Sequence, residues 1–254
     1  MNGFETITYE KRGSIAYVTL NRPEALNRYN IQMRDELYQV LTAIGDDPDV
    51  LVVIFKGAGE RAFCVGADLT EFGTAPSPII ARQVRWERDV WGLFLSLKQP
   101  LIAALHGYVL GSGVEIALFC DIRIASEEAT FGLPEVSLGI IPAGGGTQTL
   151  PRVIGKGRAL QILLTGDRID AQEAFRIGLV NMVVSREELY PTADRMAQKF
   201  LSRSPIAVRY AKEAIRRGLD LTLEEGLALE RRLAGIVKAF AAESVPHFVT
   251  GESA

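Results

Sequence analysis

Between Pro100 and Arg152 the chain reads PLIAALHGYVLGSGVEIALFCDIRIASEEATFGLPEVSLGIIPAGGGTQTLPR, and the order of its parts is the strongest constraint on the fold. Leu101 to Leu105 is an apolar run of strand length. A glycine turn follows at Gly111-Ser112-Gly113, and Val114 to Cys120 then suits a buried helix. A strand feeding a glycine turn and a helix start leaves backbone N–H groups without helical partners, a natural seat for developing negative charge. Glu115 lies in the first turn of that helix, and Glu135 follows Pro134 at what reads as another short helix start. Two carboxylates beside such a seat are able to move protons while it holds an oxyanion.

Elsewhere, short apolar runs alternate with amphipathic ones. Phe4 to Tyr9 and Ser14 to Leu20 read as a hairpin around Lys11-Arg12-Gly13. Asn30 is placed to cap a helix from Ile31 to Ile44, with Met33, Leu37, Val40, Leu41 and Ile44 on one face. Val50 to Phe55 is a continuous apolar strand, and Phe63 to Asp68 is a second strand-to-turn junction whose Gly66 and Ala67 permit close backbone approach. Thr74 to Pro78 reads as a loop, and Ile79 to Leu97 as one long helix. Helices are expected at Lys156–Thr165, Ala171–Gly178, Glu187–Ser202, Pro205–Gly218 and Thr222–Phe240, with a short strand at Val180–Val184. Strands among helices early and helices alone in the last third argue an α/β core, for which a doubly wound sheet is an alternative.

Composition narrows the function. A chain of 254 residues with 48% hydrophobic and 23% charged residues is an ordinary globular protein, long enough to bury a sizeable core. A net charge of -3 gives no general attraction to nucleic acid or to an anionic membrane. Cys64, Cys120, His106 and His247 have no metal-site spacing, so no metal is expected. Two cysteines and no signal-peptide pattern at the start of the chain fit a cytoplasmic protein with buried thiols.

The motifs LNRPEALN, RAFCVGADLTEF, GSGVEIALFCDI, FGLPEVSLGIIPAGGGTQTLPR and LLTGDRIDAQEAFRIGLVNMVV resemble, in order and spacing, those of the enoyl-CoA hydratase/isomerase (crotonase) family. The resemblance spans Ile7 to Leu229. It implies a crotonase-like α/β spiral of β-β-α units over residues 1–195 and a C-terminal helical trimerisation region over 196–254. It also implies a homotrimer or a dimer of trimers. The implied activity is reversible addition of water to a 2-enoyl-CoA, with Glu115 and Glu135 catalytic and the N–H groups of Ala67 and Ser112 forming the oxyanion hole. Ala25, Leu26, Gly66, Asp68, Leu69 and Gly111 are the implied contacts to substrate and coenzyme A. No cofactor is expected, since coenzyme A enters as part of the acyl-CoA substrate. Isomerisation of the double bond, or hydration of a cyclic or dienoyl-CoA, is the alternative within the family. Ser112 stands where many members have glycine, which leaves its N–H but adds a hydroxyl near the acyl group. The ending after Glu230, RRLAGIVKAFAAESVPHFVTGESA, also departs from the family pattern, although Leu227, Leu233, Ile236, Val237 and Phe240 keep an apolar stripe.

Each motif has a blander account. Ser112 and Glu115 match a capping box, and Glu135 suits a helix N-terminus electrostatically. Asp68 fits a cap on a short helix. Gly144-Gly145-Gly146 lacks the Lys-Ser/Thr of a phosphate loop, and His106 reads as a structural histidine because no G-x-S-x-G surrounds Ser112. Some crotonase relatives bind RNA through lysines on the first long helix. Here that helix carries Arg34, Asp35 and Glu36, so an RNA-binding role is not favoured, and a scaffold role is disfavoured because both glutamates and both turns are present.

Overall fold

A computed structural model of the chain describes residues 3–244, so His247 and the end of the atypical C-terminus lie outside the described residues. Strands β1 (Ile7–Arg12) and β2 (Ile15–Leu20) pair antiparallel, with Arg12 opposite Ile15 and Gly13 turning at φ 57°. Helix α1 (Ile31–Asp46) begins where the sequence places it, because the Asn30 side chain accepts from Met33 N at 2.9 Å. Its apolar stripe Met33, Leu37, Val40, Leu41 and Ile44 is buried as the helical period requires.

From α1 the chain winds. β3 (Val52–Gly57) pairs in parallel with β2, and β4 (Ala62–Cys64) leaves for a second sheet. α2 (Pro78–Glu87) and α3 (Val90–Ser96) complete the winding. The next winding is β5 (Leu101–Leu105), β6 (Tyr108–Leu110) and α4 (Ser112–Phe119). After it come β7 (Ile122–Ser126), β8 (Thr130–Gly132) and a 3-10 turn at Pro134–Leu138. β9 (Ile169–Asp170) and β10 (Met182–Val184) close the two sheets, whose orders are β1-β2-β3-β5-β7-β10 and β4-β6-β8-β9. Each winding therefore adds one strand to each sheet. This is the β-β-α spiral, and not the doubly wound alternative. Phe55, Phe63, Phe94 and Phe131 are among the largest side chains sealed in its core.

One local expectation fails for an identifiable reason. The single helix expected over Ile79–Leu97 is broken between α2 and α3, because the Asp89 side chain accepts from Gly92 N at 2.9 Å and starts a new helix. The glycine run opens into helix α5 (Gly146–Ile154), followed by α6 (Lys156–Thr165) and α7 (Ala171–Arg176). The last helices are α8 (Leu189–Leu201), α9 (Pro205–Gly218) and α10 (Leu223–Ser244). The chain divides into two compact units between Lys199 and Phe200, and in the second of them α9 packs against α10. Among the described residues no helix is long and apolar enough to cross a membrane.

Candidate active site

The site grows from the second sheet. β4, β6 and β8 run parallel, with Cys64 opposite Val109 and Leu110 opposite Gly132, so the three strands end side by side. Carboxyl ends of parallel strands are where open α/β sheets gather ligands. Leaving those ends, the chain enters three turns: Gly66-Ala67, Gly111-Ser112 and Leu133-Pro134-Glu135. The first two touch. A methyl group on Gly111 would stand 3.2 Å from Gly66 Cα and 3.0 Å from Glu135 Oε1, and Gly111 has φ 52°. Nothing larger than glycine fits there.

The N–H groups of the two turns are held differently. Tyr29 N donates to Gly66 O at 2.9 Å and Asp68 N donates to Tyr29 O at 2.8 Å, a parallel bridge that turns the Ala67 N–H the other way. Ser112 opens α4, where the first N–H groups lack helical acceptors. Among the described residues neither the Ala67 nor the Ser112 N–H has a backbone acceptor. A Cβ on Gly66 would be 3.7 Å from Ser112 N, so the two donors are neighbours.

Glu115 is 2% exposed, and no capping box forms, since Gly111 is the cap residue and makes no side-chain bond. The carboxylate reaches across instead to the start of α5, where its Oε1 accepts from Gly144 N at 2.7 Å and from Gly146 N at 2.9 Å. The glycine run that resembles a phosphate loop thus holds a carboxylate. Trp91, stacked on Phe119 with centroids 5.5 Å apart, walls the same spot. A methyl group on Gly144 would meet Trp91 Cζ2 at 2.5 Å and Glu115 Oε2 at 2.6 Å. Burial raises the Glu115 carboxyl above its ordinary value, and the Gly146 and Gly144 N–H groups and the Ser112 hydroxyl oppose that rise without cancelling it.

Glu135 stands across from it on the 3-10 turn. One of its oxygens, Oε2, is buried without a hydrogen-bond partner. Burial, with a smaller contribution from the Glu115 charge, pushes its carboxyl up to about 6. The two acids that are separate along the sequence therefore lie near enough for the charge of Glu115 to raise Glu135.

Comparison with known proteins shows the family. The family model described as enoyl-CoA hydratase/isomerase matches residues 10–249. The chain belongs to that family. It is 44% identical over 229 residues to the short-chain-enoyl-CoA hydratase of Clostridium acetobutylicum, covering 90% of this chain and 88% of that protein. It is 42% identical over 234 residues to the crotonyl-CoA hydratase of Syntrophomonas wolfei, covering 92% and 90%. The crystal structure of an enoyl-CoA hydratase from Bacillus anthracis superposes with a TM-score of 0.86 at 40% identity, covering 94% of this chain and 96% of that one.

The remaining residues expected from the family pattern differ in their surroundings. Ala25 and Leu26 lie on a tight turn whose N–H groups donate to Arg22 O and Pro23 O, so those donors are used within the turn. Asp68 is buried, with its carboxylate engaged by Thr70, by Arg22 at 3.1 Å and by Arg28 at 3.5 Å. It caps the short turn after it and does not face open space. Leu69 is exposed. His106 is buried and its Nε2 meets Gly59 O at 2.9 Å, while Nδ1 has no partner, so the structural reading is half satisfied. Among the described residues no group of three or more His, Cys, Asp or Glu is arranged to hold a metal ion. Sequence reasoning missed Gly144, Gly146 and Trp91, which hold and wall Glu115. Three glycines running into a helix were the available signal, and it points to an anion without saying that the anion is the protein's own.

Proposed function

We propose that this chain is a 2-enoyl-CoA hydratase, adding water reversibly across the 2,3 double bond to give a 3-hydroxyacyl-CoA. The observation that carries the reading is the pairing of two unequal buried glutamates with two adjacent backbone donors. The thioester oxygen sits between the Ala67 and Ser112 N–H groups, each donor contributing about 3 kcal/mol to an enolate-like transition state. Water attacks C3 and loses a proton to Glu115. The π electrons move to the thioester oxygen and return as C2 takes the proton of Glu135. In this scheme Glu115, which accepts two N–H bonds, is the base, and Glu135, with a buried oxygen that accepts none, is the proton donor. Coenzyme A is the handle of the substrate, and no cofactor takes part.

The same reading includes a homotrimer or a dimer of trimers. In its support, Ile215 of α9, Leu223 of α10 and Leu219 between them are exposed apolar residues. A cytoplasmic location is supported by two buried free thiols, Cys64 and Cys120. Mixing the purified protein with crotonyl-CoA and following loss of the enoyl absorbance tests the activity. Turnover is expected, and absence of turnover across short, medium, aromatic and cyclic enoyl-CoAs would overturn it.

A further inference from the structure

The turn carrying Ala25 and Leu26 is knitted to β4 and to the turn after it that carries Ala67. Asn27 is fully buried, donates to Ala58 O at 2.9 Å and to Ala62 O at 2.8 Å, and accepts from Arg22 N at 2.9 Å. Tyr29 holds the carbonyl of Gly66 and the N–H of Asp68, one residue either side of Ala67. Arg22 Nη1 donates to Arg28 O at 2.9 Å and to Asp68 Oδ2 at 3.1 Å, closing the loop on the residue that follows Ala67. This ion pair is shielded, with side-chain exposures of 20% for Arg22 and 8% for Asp68. Leu26 and Asn27 are held one after the other at φ 54° and 55°, a left-handed conformation that residues other than glycine rarely take. Such backbone persists where its surroundings over-determine it, and it marks candidate clamps.

We propose that Arg22, Asn27 and Asp68 are positioning residues that lock the coenzyme-side turn to the oxyanion turn, so that engagement of the coenzyme A handle aligns the Ala67 N–H on the thioester oxygen. The inference rests on the hydratase reading and deepens it. Contacts remote from the reacting atoms are thereby used at the reacting centre, where a small misalignment of a donor lowers turnover more than binding.

The test compares crotonyl-CoA with crotonyl-pantetheine, which lacks the nucleotide end of the handle, on full-length wild type and on Arg22→Met. The expected result is a ~10-fold loss of kcat with crotonyl-CoA, a loss below about twofold with crotonyl-pantetheine, and a KM for crotonyl-CoA that barely moves. Arg22→Lys keeps the charge without the guanidinium fork and should show the same split at smaller size. It carries the test if Arg22→Met fails to fold, as judged by thermal melting. Equal losses on both thioesters, no loss on either, or a loss confined to KM would overturn the clamp. A wild type inactive on both thioesters would instead overturn the hydratase reading and the clamp with it, so the two failures are distinguishable.

Discussion

At the outer edge of the first sheet, Glu36 reaches from α1 to the start of β1. It accepts from the N–H groups of Glu5, Thr6 and Ile7, from the Thr6 hydroxyl at 2.6 Å and from Gln32. At the ends of the second sheet, Glu135 lies in a turn with one buried oxygen that accepts from nothing. Burial pushes both carboxyls upward. At Glu36 the donors, led by the Thr6 hydroxyl, overcome it and the group ends below its ordinary value, whereas Glu135 ends near 6. The difference separates a carboxylate that fastens the fold from one left unfastened, and therefore free to trade a proton. Glu115 stands between the two, its Oε1 held by two glycine N–H groups and its carboxyl still raised.

Substitutions should break this comparison in opposite ways. Glu135→Gln and Glu115→Gln are each expected to lower kcat by about 100-fold or more, the scale of general acid–base catalysis, with acyl-CoA binding nearly intact. Steady-state kinetics with a binding assay checks this, and near-wild-type turnover of either variant would end the two-acid scheme. Gly144→Ala should approach the same loss, about 100-fold, because its methyl displaces the Glu115 carboxylate without removing it. Glu36→Gln should do the reverse, leaving kcat alone while lowering stability by about 1–3 kcal/mol in denaturant unfolding at neutral pH.

The pH dependence sharpens the contrast with smaller effects. Glu135 must be protonated to donate, so the hydration rate should fall as pH rises through about 6 and dehydration should rise over the same range. That limb should vanish in Glu135→Gln. Stability runs differently at each acid. The folded value of Glu36 lies below its unfolded one, so its contribution is present above the unfolded value and is lost as pH falls through the folded one. Glu135 is raised, so its ionisation costs the folded state as pH climbs from its unfolded value towards about 6. Glu135→Gln should therefore melt no lower than the wild type at pH 7, and a lower melting temperature would show that its carboxylate is a fastener after all.

What was legible in the sequence follows the reach of each signal. The Asn30 cap and the stripe of α1 are local, and both are found where composition and period place them. Of the second sheet, only the end of β4 was legible from pattern, as the strand-to-turn junction from Phe63 to Asp68. β4, β6 and β8 have three residues each, too few to show a period, and only the family resemblance implied the spiral. The same holds at the site. Ser112 and Glu115 satisfied a local rule, the capping box, which the fold overrides because the glycine N–H groups of a later winding reach the carboxylate first. Glu36 reads only as part of a helix without a comb of lysines, since nothing near it in the sequence announces that Thr6, thirty residues earlier, will bond to it.

The side-by-side endings of β4, β6 and β8 have a consequence for how the protein comes into being. Ala67, Ser112 and Glu135 belong to three successive coils of the chain, and the glycines that hold Glu115 come later still. No partly wound intermediate carries a working fraction of the site. During refolding, catalysis should switch on only with the last coil, trailing any spectroscopic sign of helix or sheet.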